Sequence, residues 1–261
     1  MNGPHVRTSV LSRRSFLVSA GGLTVAIALL PHAGHAAVPA DLPTGPFRPN
    51  AWVAIAADGA VSIISPAAEM GQGVMTTLPL VLADEMDADW DQVRVVQAPS
   101  DAENFGNPGF YGIQLTGGSE AVRGYWDTLR LIGAQTRMVL IAGAAAVLDA
   151  PADELTTEPG RVLHPRSGRS LGYGEIAASG ALPAPLPEAT DADLKPAERW
   201  RYIGRRDIGR IDVPAKVRGA AVFGIDVQLP GMLYGAVLRA RSRGIGRRSW
   251  TTRRPGPSRA W

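Results

Sequence analysis

Cysteine is absent from all 261 residues, which excludes disulfides, thiolate-bound zinc, iron–sulfur centres and a cysteine nucleophile. Histidine is scarce as well. Of the four, His5, His32 and His35 fall in the N-terminal segment and only His164 stands in the body, so a multi-histidine metal site is excluded too. A serine–histidine–acid triad would have to use His164, which lies between Leu163 and Pro165 in a turn-rich stretch, and no G-x-S-x-G elbow occurs anywhere. His164 therefore reads as a solvated turn residue. Acidic groups are missing from both ends: residues 1–36 hold three Arg and residues 241–261 seven, neither with an acid. The net charge of +3 misleads, because the 17 basic groups of residues 37–240 face all 24 acids and leave the body at −7. An acidic body with no recognisable nucleic-acid module argues against DNA or RNA as a partner.

What is present suffices for a real core: the length and a hydrophobic content of 45% allow one or two domains. Ser12-Arg13-Arg14-Ser15-Phe16-Leu17-Val18 matches the twin-arginine pattern. The run from Phe16 to Leu30 is moderately apolar, diluted by Ser19, Gly21, Gly22 and Thr24, and Gly34-His35-Ala36 offers small residues for cleavage. Residues 1–36 are thus expected to be an export signal to the periplasm. The competing reading is a retained anchor on the inner membrane, although the run is short of the roughly 20 residues that a spanning helix needs.

A Pro-rich linker over 37–50 leads to two short apolar runs flanking Asp58-Gly59, the signal of a tight β-hairpin. Next come Glu69 and the loop Met70-Gly71-Gln72-Gly73-Val74-Met75-Thr76, then a helix ending near Asp87 with Asp84 and Glu85 on its polar side. Pro79 either belongs to its initiating turn or kinks it. Val93 to Val96 returns as a strand. The long loop from Ala98 to Leu115 carries Phe105, Phe110 and Tyr111, which either line a pocket or pack the loop down.

A second loop, Thr116-Gly117-Gly118-Ser119, precedes the longest helical pattern. Ser119 is the expected cap, and Val122, Trp126, Leu129, Ile132, Val139, Leu140 and Val147 recur at helical spacing to about Ala150. Glycines and alanines around Gly133 and Gly143 permit close packing, and charges at Arg123, Asp127, Arg130 and Arg137 interrupt the helix too often for a membrane span. Further along, Arg161 to His164 reads as a strand and Tyr173 to Ala178 as a short helix. Residues 183–200 read as an acidic, Pro-rich linker, and the basic stretch over 200–215 as a solvated or interface face. Ala220 to Val227 and Gly231 to Leu238 read as two strands.

Each glycine loop stands where amides at a helix N-terminus can face an anion, and a pair of them suggests one elongated phosphate-bearing ligand. Ordinary turns with αL glycines remain the plainer reading.

The ordered motifs favour the ligand. Glu69-Met-Gly-Gln-Gly-Val-Met-Thr76, Leu82-Ala-Asp-Glu-Met-Asp87 with Trp90, Thr116-Gly-Gly-Ser119 with Val122-Arg123 and Trp126, Tyr202-Ile-Gly204, Arg210-Ile-Asp-Val-Pro-Ala-Lys216, Ala221-Val-Phe-Gly-Ile-Asp226 and Leu229-Pro-Gly-Met-Leu-Tyr234 follow one another over about residues 47–240. Together they resemble the large subunit of the isoquinoline 1-oxidoreductase type, in the xanthine dehydrogenase and aldehyde oxidase superfamily of molybdenum hydroxylases. The resemblance implies an α+β fold: a molybdopterin-binding lobe over 51–182, the linker at 183–200, and the start of a second, hammerhead-like α/β domain over 201–240. It implies molybdopterin cytosine dinucleotide with molybdenum, held by Gly71, Gln72, Gly73 and Thr76 and gripped again by Thr116, Gly117, Gly118 and Ser119. It also implies oxidation of an N-heterocycle or aldehyde with water as oxygen source, a small iron–sulfur subunit as partner, and in some cases a cytochrome c. Two departures stand out. Family members continue for several hundred residues past Tyr234, and their catalytic glutamate lies there, so no catalytic residue is assigned in this chain and Glu69 is read as a loop acid. Residues 241–261, with seven Arg, no acid and no apolar period, read as an out-of-frame tail on a truncated, inactive product. The rival function is an exported, non-catalytic module binding a phosphate or nucleotide.

Overall fold

The structure is a computed structural model that describes residues 22–26, 51–181, 183 and 185–235. The twin-arginine motif, the linker prolines and the Arg-rich tail lie outside the described residues.

At Asp58-Gly59, Gly59 takes φ +91° and Asp58 Oδ1 accepts the Ala60 N–H at 3.0 Å. Strand β2 (Ala51–Ala56) thereby folds back antiparallel on β3 (Val61–Ser65), with Val53 opposite Ile63. Residues 66–73 lead from β3 into helix α1 (Val74–Glu85), and the chain returns as β4 (Val93–Gln97), parallel to β3 with Ile63 beside Val95. A parallel return requires a crossover, which α1 supplies. Strand β1 (Gly22–Ala26) pairs antiparallel with β2 and completes the order β1-β2-β3-β4. This strand falls inside the apolar run read as part of an export signal, where the sequence reading expected none.

Between β4 and the long helix, the expected loop contains a four-residue helix, α2 (Ala102–Phe105), and a turn at Pro108–Phe110. Its aromatics divide. Phe105 is buried edge-on against Trp52, with ring centroids 5.0 Å apart, and its carbonyl accepts from Tyr125 Oη at 2.6 Å. Tyr111 is 99% exposed.

Helix α3 (Glu120–Leu148) runs 29 residues. Leu129, Ile132, Val139 and Leu140 are buried as their spacing predicted, whereas Val122 and Val147 are exposed. By length and hydropathy α3 could cross a membrane, but more than half of its most apolar window is buried inside the protein. It packs chiefly on α1, and Gly133 sets how closely: a Cβ there would stand 2.6 Å from Glu85 Cβ and 2.7 Å from the Leu82 carbonyl oxygen. A second sheet, antiparallel in the order β5 (Thr156–Glu158), β6 (Arg161–His164), β7 (Arg169–Gly172), ends in helix α4 (Tyr173–Ser179). The fold is therefore mixed α+β with two small sheets.

The structure departs from the sequence reading at four points. Asp84 and Glu85 are not on a polar face but fully buried. The 183–200 stretch, read as a linker, carries Lys195 into the interior at 3% exposure. The chain divides into two units after Gly219, so residues 201–219, including the short helix α5 (Val213–Val217), belong with the first unit. In the second unit, residues 220–235 contain a turn at Gly224–Asp226 and no strand. A strand exists only with a partner across its ladder, and no described segment pairs with this one.

Candidate functional site

The loop before α1 is built on an internal anion. Glu69 Oε1 accepts the N–H of Gly71 at 2.7 Å and of Gly73 at 3.0 Å, and Oε2 accepts that of Met75 at 3.1 Å. Gly71 at φ +104° and Gly73 at φ +90° hold conformations that favour glycine, and this backbone path turns alternate amides, those of residues 71, 73 and 75, to one carboxylate. Burial pushes the Glu69 carboxyl up, but donation from Gly73, Met75 and Gly71, with the Arg210 guanidinium, outweighs it and holds the group below the usual carboxylate range. Gln72 folds back on the loop. Its Oε1 accepts the Met70 N–H and its Nε2 donates to the Ala68 carbonyl at 2.9 Å.

Segment 210–212 covers the loop. Arg210 Nη1 donates to the Gly71 carbonyl at 2.7 Å and Nη2 lies 3.2 Å from Glu69 Oε1, while the Ile211 N–H reaches Thr76 Oγ1 at 3.1 Å. Asp212 aligns the guanidinium, accepting from Nε at 2.9 Å and Nη2 at 2.6 Å. The basic stretch over 200–215 combines both expected characters: Arg205 and Arg206 are exposed, while Arg210 and Arg201 are each committed to a carboxylate of the first unit. Sequence reasoning missed Arg210 as a site residue. The signal was the lone acid Glu69 beside amides that would otherwise be orphaned, which calls for a cation nearby.

The second loop is open by comparison. Among the described residues the N–H groups of Gly117, Gly118 and Ser119 have no hydrogen-bond acceptor. Ser119 occupies the position before α3 at φ +59° without capping it through its hydroxyl, contrary to expectation. Glu120 N–H instead finds the Gly117 carbonyl at 3.0 Å. Thr116 joins the two loops, its Oγ1 accepting the Ala68 N–H at 3.0 Å. Beside that bond lies a cavity of about 260 Å³ lined by Pro66, Ala68, Gln97, Pro99, Gln114 and Thr116. Seven of the eight sequence-predicted residues thus belong to two adjoining loops, and Thr76 stands in the first turn of α1; the amides of Gly71 and Gly73 are already engaged.

His164 is no isolated turn residue. Its Nδ1 meets Ser167 Oγ at 2.8 Å and its Nε2 meets Glu154 Oε2 at 3.0 Å, pinning the β6–β7 turn. Ser167 Oγ also accepts the Arg169 N–H at 3.3 Å, so the hydroxyl is tied into the turn. Among the described residues no group of three or more His, Asp or Glu could hold a metal ion.

The donor set of the second loop suits a phosphate-bearing cofactor. In the first loop the Glu69 carboxylate already stands where a phosphate's oxygens could, whereas the second loop offers N–H groups that have no acceptor among the described residues, without side-chain obstruction at Gly117. The chain is 43% identical to the beta subunit of isoquinoline 1-oxidoreductase from Brevundimonas diminuta, over 87% of this chain and 33% of that one. It is 37% identical to a membrane-bound aldehyde dehydrogenase [pyrroloquinoline-quinone] of Gluconacetobacter polyoxogenes, over 86% and 29%. With a nicotinate dehydrogenase subunit of Pseudomonas putida the identity is 32%, over 88% and 18%. The chain therefore spans a third or less of the length of these relatives. The family model of the molybdopterin cofactor-binding domain matches residues 19–225, and the chain belongs to that family.

Proposed function

We propose that this chain is the first part of the large subunit of a molybdenum hydroxylase, and that its two glycine loops hold molybdopterin cytosine dinucleotide. The observation that carries the reading is their junction: Ala68 to Thr116 ties the loop before α1 to the loop before α3, so one elongated ligand can touch both. When bound, the cofactor supplies two-electron oxidation of an N-heterocycle or an aldehyde, with the oxygen drawn from water. The chain's own residues bind and orient. Gly117, Gly118 and Ser119, whose N–H groups have no acceptor among the described residues, would donate to the pyrophosphate, and Gln72 and Thr76 would hold the pterin end. No catalytic residue is assigned. Electrons would leave through a small iron–sulfur subunit, and in some such enzymes a cytochrome c; the 261 residues here contribute no cysteine to a cluster. In this reading the cofactor lobe expected over 51–182 takes in residues 201–219 as well, which belong to the same unit, and the second, hammerhead-like α/β domain expected over 201–240 would begin at Ala220. Ser12 to Val18 directs the folded protein to the periplasm.

The test is a single substitution. A Cβ at Gly117 would meet nothing within 4 Å, and its φ is not positive, so Gly117→Val adds its first side-chain carbon without a clash and fills the space beside N–H groups that have no acceptor among the described residues. Expressed in a host that makes the cofactor, the purified chain should carry pterin, cytidine nucleotide and molybdenum, and Gly117→Val should lose all three with its melting temperature unchanged. A cooperatively folded chain holding a nucleotide without pterin or metal would favour the non-catalytic binding module instead.

A further inference from the structure

We propose that Glu69 is the positioning residue of the first glycine loop, an internal anion that fills the amide nest of Gly71, Gly73 and Met75 and closes it to external phosphate. The inference deepens the cofactor reading and rests on it for its functional consequence: the loop meets the ligand as a pre-shaped rim, not as its phosphate cradle.

Carboxylate and phosphate are both acceptor-only anions, so a nest of converging N–H groups takes one or the other. Here the resident anion has two advantages. It is tethered two residues from Gly71, which gives it an effective concentration of the order of millimolar or more without any association step. It is also clamped from outside, because Arg210 bridges Glu69 Oε1 and the Gly71 carbonyl while Asp212 fixes the guanidinium from behind. Gly73 lies directly against that clamp, its Cβ position 3.8 Å from Cδ, Nε and Cζ of Arg210, and its φ of +90° is what calls for glycine there. The Ile211 N–H on Thr76 Oγ1 closes the helix side. Only 12% of the Glu69 side chain is exposed. Arg210 is the only charged side chain in contact with the carboxylate among the described residues, so nothing there competes with the nest for it.

Nuclear magnetic resonance of the ¹⁵N-labelled chain, with Glu69→Ala beside it, tests the proposal. In the unmodified chain inorganic pyrophosphate should leave the Gly71, Gly73 and Met75 amide signals in place. The three should titrate together with acid, at a pH below the ordinary carboxylate range. In Glu69→Ala those amides should exchange with solvent at least about tenfold faster, the weight of roughly one charged hydrogen bond, and added acetate should restore their signals by refilling the nest. Refilling is what a merely structural side chain would not show. Pyrophosphate shifting the three amides in the unmodified chain, or acetate leaving Glu69→Ala unchanged while α1 keeps its signals, would overturn the proposal. Should Glu69→Ala not fold, the acid titration decides alone, and three amides that move independently count against it. Failure to bind molybdopterin would leave all of these signals as they are, so the two readings fail separately.

Discussion

Gly117 and Gly133 look alike in the sequence and differ completely in the fold. Gly117 has open space where a Cβ would go; at Gly133 the Cβ would strike Glu85 Cβ and the Leu82 carbonyl, both on the neighbouring helix and one of them backbone. Backbone cannot swing aside as a side-chain tip can, so Gly133→Ala must push α3 away from α1. We expect a loss of about 1–3 kcal/mol, the usual range for overpacking, read as a lower midpoint in urea with an unchanged slope, because the unfolded chain is hardly altered. The close packing around Gly133 and Gly143 was legible beforehand, since small residues in a long apolar helix have little other use. The engagement of Gly71 and Gly73 by Glu69 was not. A loop's amides look free until the acid beside them is seen to turn inward, and composition does not reveal which way Glu69 turns.

At the level of elements, α1 ends in a way that isolated helix physics disfavours. Asp84 and Glu85 lie in its last turn, where the helix dipole opposes negative charge, and that turn holds no basic residue. The compensation comes from elsewhere in the chain. Lys195 Nζ lies 3.0 Å from Asp84 Oδ1 and 2.8 Å from Asp87 Oδ1, and Arg130 and Arg137 reach Glu85 from α3. Asp84 Oδ2 also accepts the N–H groups of Tyr202 at 2.8 Å and Ile203 at 2.9 Å, a second case of an acid filling a backbone nest. Asp84 and Glu85 could be read from sequence as polar-face residues because their partners lie about 45 to 119 residues away, beyond any local pattern. Lys195→Met removes the cation that two buried carboxylates share and leaves Asp84 with backbone N–H donors alone, so we expect a loss of about 3–5 kcal/mol in urea unfolding at neutral pH. Acid should act on the same cluster. Burial pushes the Asp87 carboxyl up, but Lys195, Thr157 and Arg201 more than offset this and hold it below its ordinary value. A depressed carboxyl contributes stability that is fully present above its unfolded value and fades as pH falls through the folded one. Stability measured from pH 6 downward should therefore stay level to about pH 4 and then fall, and Asp87→Asn should flatten the part of that fall due to Asp87.

For the whole molecule, the first unit was far more legible than the second. Hairpin, crossover helix and long buried helix rest on turn chemistry and periodicity, which are local and readable. The strands expected from Ala220 to Leu238 rest on alternation alone, and alternation records only a face to be buried, not a partner to bury it. In the second unit Ile225 is 94%, Leu233 92% and Tyr234 83% exposed, with Val222 at 75%. So many large apolar side chains in one short stretch exceed what scattered surface residues explain, and such a segment invites association. The first unit, in contrast, keeps its own core, its loop clamp at Arg210 and its buried cluster at Lys195, all before Gly219. A chain ended at Gly219 should therefore unfold with the same cooperativity and nearly the same midpoint as the full one. It should bind less of a dye that reports exposed apolar surface and stay monomeric at higher concentration. If the shortened chain instead melts without cooperativity, residues beyond Gly219 are part of what holds the first unit together, and its separateness is lost.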